Sequence, residues 1–159
     1  MKFTSKVVVE RTERSTRVSV KEQEYLCHVY VRSDGLSGVV ISDHEYPNRV
    51  AHTLLMKVMD DFCSAVPTST WMSAAENSVN FLGLDLTLAK FQEPKEADML
   101  TKLQADVDET KIILHSTITA LLERGEKLDD LVAKSDDLSA QSKVFYKTAR
   151  KTNQCCHLL

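Results

Sequence analysis

Residues 25–42 read YLCHVYVRSDGLSGVVIS, and their alternation sets the predicted fold of the first half of the chain. The first strand places Leu26, His28 and Tyr30 on one face and, on the other, Tyr25, Cys27, Val29 and Val31. The SDG at 33–35 is turn chemistry, and LSGVVIS returns as a second strand. This pattern predicts a β-hairpin.

The segments around this hairpin predict further elements of an α+β domain. Residues 3–10 and 17–21 read as two strands that precede it. Pro47 favours the start of a helix, because its fixed backbone torsion suits the first turn. That helix carries one apolar stripe, formed by Val50, Leu54, Leu55, Val58 and Phe62. Residues 68–80 read as a loop. Residues 81–91 alternate like a strand and also fit a helical stripe, and we favour a helix.

Residues 95–154 contain one helix breaker, Gly125, and carry a continuous seam. The seam recurs at steps of three and four, and its mean spacing of about 3.5 residues is that of a left-handed coiled coil. Its apolar positions are Leu100, Leu103, Val107, Leu114, Leu121, Leu128, Leu131, Leu138, Phe145 and Ala149. The position between Leu121 and Leu128 falls on Arg124, which predicts a permanent charge inside the coiled coil.

The charge at Arg124 indicates the kind of partner. The seam alone also fits a helix packed on its own domain or a homomeric coiled coil. In a parallel homomer, however, each Arg124 would face another arginine in a core of low dielectric constant. Glutamine oxygens can accept the guanidinium N–H donors without adding a second full charge. The sequence therefore favours a heteromeric bundle with one polar layer that sets its register.

Composition and missing motifs exclude several other classes. The net charge of −3 over 159 residues argues against a nucleic-acid partner. The motifs of nucleotide-binding loops, zinc proteases, dithiol redox sites and serine hydrolases do not occur, and the five histidines show no ligand spacing. We therefore expect no enzyme activity, no metal and no cofactor. No run of about 20 apolar residues occurs, as a membrane-spanning helix would need, and we expect no signal peptide.

The final residues, CCHLL, read as a lipidation signal. Cys156 stands fourth from the end, as in C-a-a-X prenylation, and the terminal Leu favours geranylgeranyl. Cys155 would take a second lipid, either palmitoyl or a second prenyl group, because one chain alone anchors a protein only weakly. An upstream basic patch suited to an anionic membrane surface comprises Lys143, Lys147, Arg150 and Lys151.

Residues 105–151 resemble the R-SNARE motif of membrane-fusion proteins, and residues 19–50 are similar to a longin domain. Together with the tail, they resemble the prenylated longin-type R-SNAREs, the lipid-anchored synaptobrevin homologues. This resemblance implies an α+β fold with a partial, profilin-like antiparallel sheet and helices, followed by a long SNARE helix. The implied parts are a longin-like domain at 1–92, an R-SNARE motif at 97–153 and a lipidated tail at 154–159.

The resemblance also implies a function. Arg124 would form the central layer of a four-helix bundle, facing one glutamine from each of three Q-SNARE helices, and the bundle would drive docking and fusion of vesicles. A prenyltransferase would modify the tail, with farnesyl as the family's usual lipid. The protein would lie in the cytoplasm and on the cytoplasmic face of Golgi, ER-derived vesicle and endosomal membranes. The alternatives are a prenylated coiled-coil adaptor and a poorly autoinhibited truncated SNARE copy.

One departure from the family pattern concerns the first residues. A longin domain of this family has two strands and a helix ahead of the region that begins here, and the first residues of this chain read as the third strand. A sheet short of central strands exposes its edges and buries less apolar area. We therefore expect residues 1–90 to pack loosely and to hold the helix at 100–152 only weakly.

Overall fold

The computed structural model describes residues 2–93 and 112–155, with side chains up to residue 149. A four-stranded sheet in the order β3-β2-β1-β4 is built from β1 Thr16–Glu22, β2 Tyr25–Val31, β3 Ser37–Asp43 and β4 Ile112–His115. The helices are α1 Lys2–Arg11, α2 Asn48–Ala65, α3 Thr68–Met72, α4 Gly83–Lys90, α5 Leu128–Lys134 and α6 Ala140–Cys155, with a 3₁₀ helix at Ile118–Leu121. The α+β class is confirmed.

The predicted hairpin forms as the alternation requires. β2 pairs antiparallel with both β1 and β3. The turn between β2 and β3 contains Gly35 at φ +91°, a conformation that glycine adopts at little cost. Asp34 Oδ1 accepts a hydrogen bond from the Leu36 N–H at 3.1 Å. These local bonds fix the register, so that Cys27 and Val29 face one layer while His28 faces the other.

The prediction of a strand at residues 3–10 is wrong, because this segment forms α1. Three consecutive β-branched residues, Val7 to Val9, favour a strand by local preference. The helix instead buries Val7 and Val8 against the sheet, with Phe3 packed beside them. Thr12 Oγ1 donates to the Val8 carbonyl at 2.7 Å where the helix ends. Packing on the sheet therefore overrides local preference, and the described chain starts with a helix.

The opposite face of the sheet carries the predicted helix after Pro47. α2 buries much of its apolar stripe, including Val50, Leu54 and Leu55. It approaches β3 closely, since a Cβ at Gly38 would lie 2.9 Å from Leu55 Cδ2. The predicted helix at 81–91 is confirmed as α4. The loop predicted at 68–80 is only partly correct, because it starts with α3.

Residues 2–93 do not show the expected loose packing. One core lies between α1 and the sheet and includes Val8, Val20 and Val29, all of them fully buried. A second, smaller core contains Val50, Leu54 and Phe91. Among the described strands, β3 lies at one end of the sheet. At the other end of the sheet, β4 covers the edge of β1.

The single helix expected over 97–153 is replaced within residues 112–155 by four shorter elements. β4, the 3₁₀ helix and α5 precede α6. The physical reason is that a seam helix without partner helices leaves its apolar residues in water. In the single chain three of them, Leu121, Leu128 and Leu131, pack against the core between α1 and the sheet instead. The seam positions Leu100, Leu103 and Val107 lie outside the described residues.

A buried polar chain joins the sheet to α2. Ser19 Oγ lies 2.8 Å from His28 Nδ1 and 2.9 Å from His52 Nε2, and His28 Nε2 lies 3.0 Å from Ser42 Oγ. Both imidazoles are almost completely excluded from solvent. This burial disfavours their charged forms and lowers the pKa of His28 to about 4. It lowers the pKa of His52 to about 3, with smaller contributions from His28 and Arg17.

Because burial lowers the pKa of both histidines, we expect the fold to lose stability in mild acid. Below its pKa of about 6.5, each histidine binds a proton in the unfolded chain but not in the folded one. Stability is therefore complete above that pH and falls as the pH drops towards the folded values, by about 2 kcal/mol per histidine at pH 5. Urea unfolding at pH 7.5 and 5.0 measures this loss.

His52→Gln removes one titrating group and should reduce the loss by about half. The matched control is His44→Gln, which changes an exposed histidine that is hydrogen-bonded to the Gln23 carbonyl. An equal loss in His52→Gln and in the unmodified chain would contradict the prediction.

Candidate functional site

The candidate site is the C-terminal segment, residues 112–149, which carries the described part of the seam. The structure distributes the seam over all its elements: Leu114 lies in β4, Leu121 in the 3₁₀ helix, Leu128 and Leu131 in α5, Leu138 before α6, and Phe145 and Ala149 in α6. The sequence placed these side chains on one stripe of one helix. The structure places them on separate elements, where some are partly buried and others are exposed.

The C-terminal segment begins by extending the sheet. β4 pairs parallel with β1, with Arg17 opposite Ile112 and Val20 opposite His115. The seam residue Leu114 is 63% exposed in this strand. At this position the segment therefore gains backbone pairing and buries little of the seam.

The next part covers the apolar face of α1 and the sheet. Leu121, Leu128 and Leu131 are partly buried there, against the core that contains Val7 and Val8. Three of the predicted seam leucines thus pack on the protein's own domain. The same side chains would be needed at the centre of a helical bundle.

The two most buried residues of the C-terminal segment do not belong to the seam. Ile118 is 4% exposed and Val132 1% exposed. Val132 follows the seam residue Leu131 directly, and Ile118 follows Thr117, the seam position between Leu114 and Leu121. Both would lie on the flank of a bundle helix. Neither residue was predicted to be buried from the sequence. The sequence signal for their burial was that each is an isolated apolar residue on the otherwise polar flank of the seam.

Charged residues of α1 also contact the C-terminal segment. Arg11 Nη2 and Nε donate to the two carboxylate oxygens of Glu126 at 2.6 and 3.1 Å. Lys6 Nζ lies 3.2 Å from Asp137 Oδ2, and Lys2 lies 3.8 Å from Oδ1. The hydrogen bonds with Arg11 lower the pKa of Glu126 and raise the pKa of Arg11. α1 therefore presents cations along its length to acidic groups of the segment.

Arg124 lies in an exposed turn between the 3₁₀ helix and α5. Gly125 follows at φ +95°, and the Glu126 N–H donates to the Glu123 carbonyl at 3.0 Å. The side chain predicted to form a buried polar layer therefore faces solvent in the single chain.

The last helix leaves much of its apolar surface uncovered. Val144 is 63% and Phe145 75% exposed on α6. Lys143 Nζ donates to the Ala133 carbonyl at 2.9 Å, which joins α6 to α5. Lys147 is exposed. Of the predicted basic and lipid-bearing residues, Arg150, Lys151 and Cys155 lie in α6 beyond the described side chains, and Cys156 lies outside the described residues.

Two kinds of feature are absent from the described residues. Between residues 2–93 and 112–155, no helix is long and apolar enough to cross a bilayer. In the same two ranges, no three histidine, cysteine or acidic side chains come close enough together to hold a metal ion.

Two models of known protein families match separate parts of the chain. The longin model, described as a regulated-SNARE-like domain, matches residues 1–88, and the synaptobrevin model matches residues 99–157. The chain belongs to the synaptobrevin family of longin-type SNAREs. It is an R-SNARE of vesicle transport, as the resemblance of its sequence implied.

Individual relatives of this R-SNARE match over nearly its whole length. It is 51% identical to the synaptobrevin homolog ykt6 of Schizosaccharomyces pombe, over 98% of this chain and 79% of that protein. It is 46% identical to the synaptobrevin homolog YKT6 of Saccharomyces cerevisiae, over 100% of this chain and 80% of that protein. In the structure, this R-SNARE holds its synaptobrevin segment folded onto its longin domain.

Truncation of either buried off-seam residue should release the C-terminal segment without altering its seam. Ile118→Ala removes three buried carbons and should cost the docked segment about 2–5 kcal/mol. Val132→Ala removes two and should cost roughly 1–2 kcal/mol. Hydrogen exchange of residues 112–134 should speed up in both variants, because docking protects their amides.

The matched control is Val144→Ala, which makes the same truncation at an exposed off-seam position. It should leave exchange in residues 112–134 unchanged. Unchanged exchange in both Ile118→Ala and Val132→Ala would show that these residues do not hold the segment.

Proposed function

We propose that the C-terminal segment leaves the longin domain and forms a four-helix bundle with three glutamine-bearing Q-SNARE helices. One observation supports this most directly. Leu121, Leu128 and Leu131 are only partly buried on the longin domain, so full burial in a bundle gives each of them further hydrophobic stabilisation. Complete burial of a leucine side chain is worth about 1.5–3 kcal/mol.

Bundle formation competes with docking on the longin domain. The segment must give up the pairing of β4 with β1 and the burial of Ile118 and Val132. In return it gains a complete helical hydrogen-bond pattern and a fully buried seam. The work that brings two membranes together comes from this difference in burial, and we propose that the protein is not an enzyme.

Arg124 is proposed to form the polar layer of the bundle. In the docked chain it is exposed, so the longin domain imposes no desolvation penalty on its charge. In the bundle its guanidinium would donate to glutamine oxygens of the three partner helices, which satisfies its donors without a second charge. The layer then selects partners and sets alignment, as single polar core residues do in coiled coils.

The tail is proposed to carry the membrane anchor. Cys156 would receive the prenyl group, farnesyl or geranylgeranyl, from a prenyltransferase, and Cys155 a palmitoyl or second prenyl group. The basic residues of α6 would add attraction to anionic lipids. We place the protein in the cytoplasm and on the cytoplasmic face of Golgi, ER-derived vesicle and endosomal membranes. A prenylated adaptor that never forms a bundle is the alternative.

Arg124→Leu should change partner selection more than bundle stability. Partner helices with glutamine at the layer would leave buried amides unsatisfied against the substituted leucine, which costs about 1–3 kcal/mol, whereas apolar partners would pack well. The preference for glutamine-bearing over leucine-bearing helices should fall about 10- to 100-fold. Arg124→Gln should keep part of it, because amides pair with amides. Competition binding of the two helix sets to the unlipidated chain measures this preference.

Glu123→Leu is the control, since it introduces the same side chain at the neighbouring, off-seam position. It should keep the preference for glutamine. If Arg124→Leu selected partners as the unmodified chain does, the central-layer assignment would be wrong and the adaptor function would be favoured.

Changes at the tail cysteines test the anchor separately from the bundle. Cys156→Ser should abolish membrane association, because C-a-a-X prenylation needs that thiol. Cys155→Ser should leave weak, exchanging association, since one lipid chain gives only marginal binding. Cys63→Ser, at a free cysteine of α2, is the control and should remain on membranes. Cell fractionation measures all three variants, and membrane association of Cys156→Ser at the level of the unmodified protein would disprove the anchor.

A further inference from the structure

The turn beside the predicted central layer requires a backbone conformation that a bundle helix cannot contain. Gly125 has φ +95° in the docked chain. A continuous helix through Leu121, Arg124 and Leu128 needs φ near −60° at the same residue. Release of the C-terminal segment into a helix must therefore rotate this backbone torsion from the left-handed to the right-handed region.

Glycine is the residue that holds both conformations at low cost. A Cβ at Gly125 would meet nothing within 4 Å, so any effect of a larger residue comes from the backbone and not from a clash. An alanine here would strain the docked turn. It would also favour the helix, in which alanine ranks above glycine. Both effects favour release of the segment from the longin domain.

The carboxylate of Glu126 joins this turn to the longin domain. Glu126 accepts two hydrogen bonds from Arg11 at the end of α1, and its Oε2 also accepts the Glu123 N–H at 3.0 Å. A bidentate arginine–carboxylate pair of this kind is directional as well as electrostatic. On the seam helix Glu126 would lie two residues after Arg124 and point away from the seam, so the bundle makes no use of it.

We propose that Gly125 and the Arg11–Glu126 pair form the switch that sets how often the C-terminal segment leaves the longin domain. The pair closes the turn, and the glycine lets the turn form and later become helical. The proposed control of docking does not depend on the proposed function. The consequence for Q-SNARE capture does rest on the proposed function.

Hydrogen exchange of residues 112–134 in the unlipidated full chain tests the switch without any partner. Gly125→Ala should lower protection roughly 10-fold, since a left-handed alanine is strained. Gly125→Asn is the matched control, because asparagine tolerates this conformation, and should lower protection by less than about threefold. Equal protection in the alanine variant and in the unmodified chain would overturn the role of Gly125.

Variants that neutralise or exchange the two charges test the Arg11–Glu126 pair. Glu126→Gln keeps the shape and should lower protection roughly threefold, whereas Glu123→Gln, at the neighbouring exposed acid of the same turn, should not. Arg11→Glu should lower protection, and Arg11→Glu combined with Glu126→Arg should restore much of it. If the double variant stays as unprotected as Arg11→Glu alone, the pair does not close the turn.

The rate of assembly with three glutamine-bearing helices is a second readout. Gly125→Ala should raise this rate by at least its loss of protection, because the released segment also forms helix more readily. Lower protection with no assembly in any variant would leave the switch intact and disprove the proposed bundle. Unchanged protection with normal assembly would disprove the switch and leave the bundle standing.

Discussion

The docked arrangement of the segment depends on the outer edge of β1. A strand edge presents unpaired N–H and C=O groups, which proteins cover or otherwise protect. Ile112–His115 pairs with this edge, and the pairing fixes where the following residues lie. Ile118 then enters the core beside Val7 and Val8, and Leu128 and Leu131 of α5 pack against the same core. The backbone pairing of four residues thus aligns the side chains that follow it.

The same leucines serve two different packing arrangements. Leu121, Leu128 and Leu131 cover the longin domain in the single chain and form the seam of the proposed bundle. The residues between them differ in what they favour. Ile118 and Val132 are buried in the docked segment, whereas Arg124 is exposed there. In the proposed mechanism these opposite preferences set the balance between the docked and the bundled state, and a change at Gly125 or Glu126 would shift that balance.

Several parts of the fold and site could be predicted because the local pattern and the tertiary environment agree. The alternation of β2 places His28 on the face that meets His52 of α2, and the stripe of α2 is buried as its spacing requires. α1 could not be predicted in this way. Val7 and Val8 favour a strand locally, but they lie in a helix that packs on the sheet and buries them there.

The sequence by itself determined the seam, the position of Arg124 within it and the polar character of its flanks, because these follow from residue spacing alone. Only the tertiary structure decided that residues 112–134 form a strand, a 3₁₀ helix and a short helix instead of one long helix. The physical reason is that a seam specifies which residues must be buried, but not the surface that buries them. In the single chain that surface is α1 and the sheet, and contact with it requires the turn at Gly125.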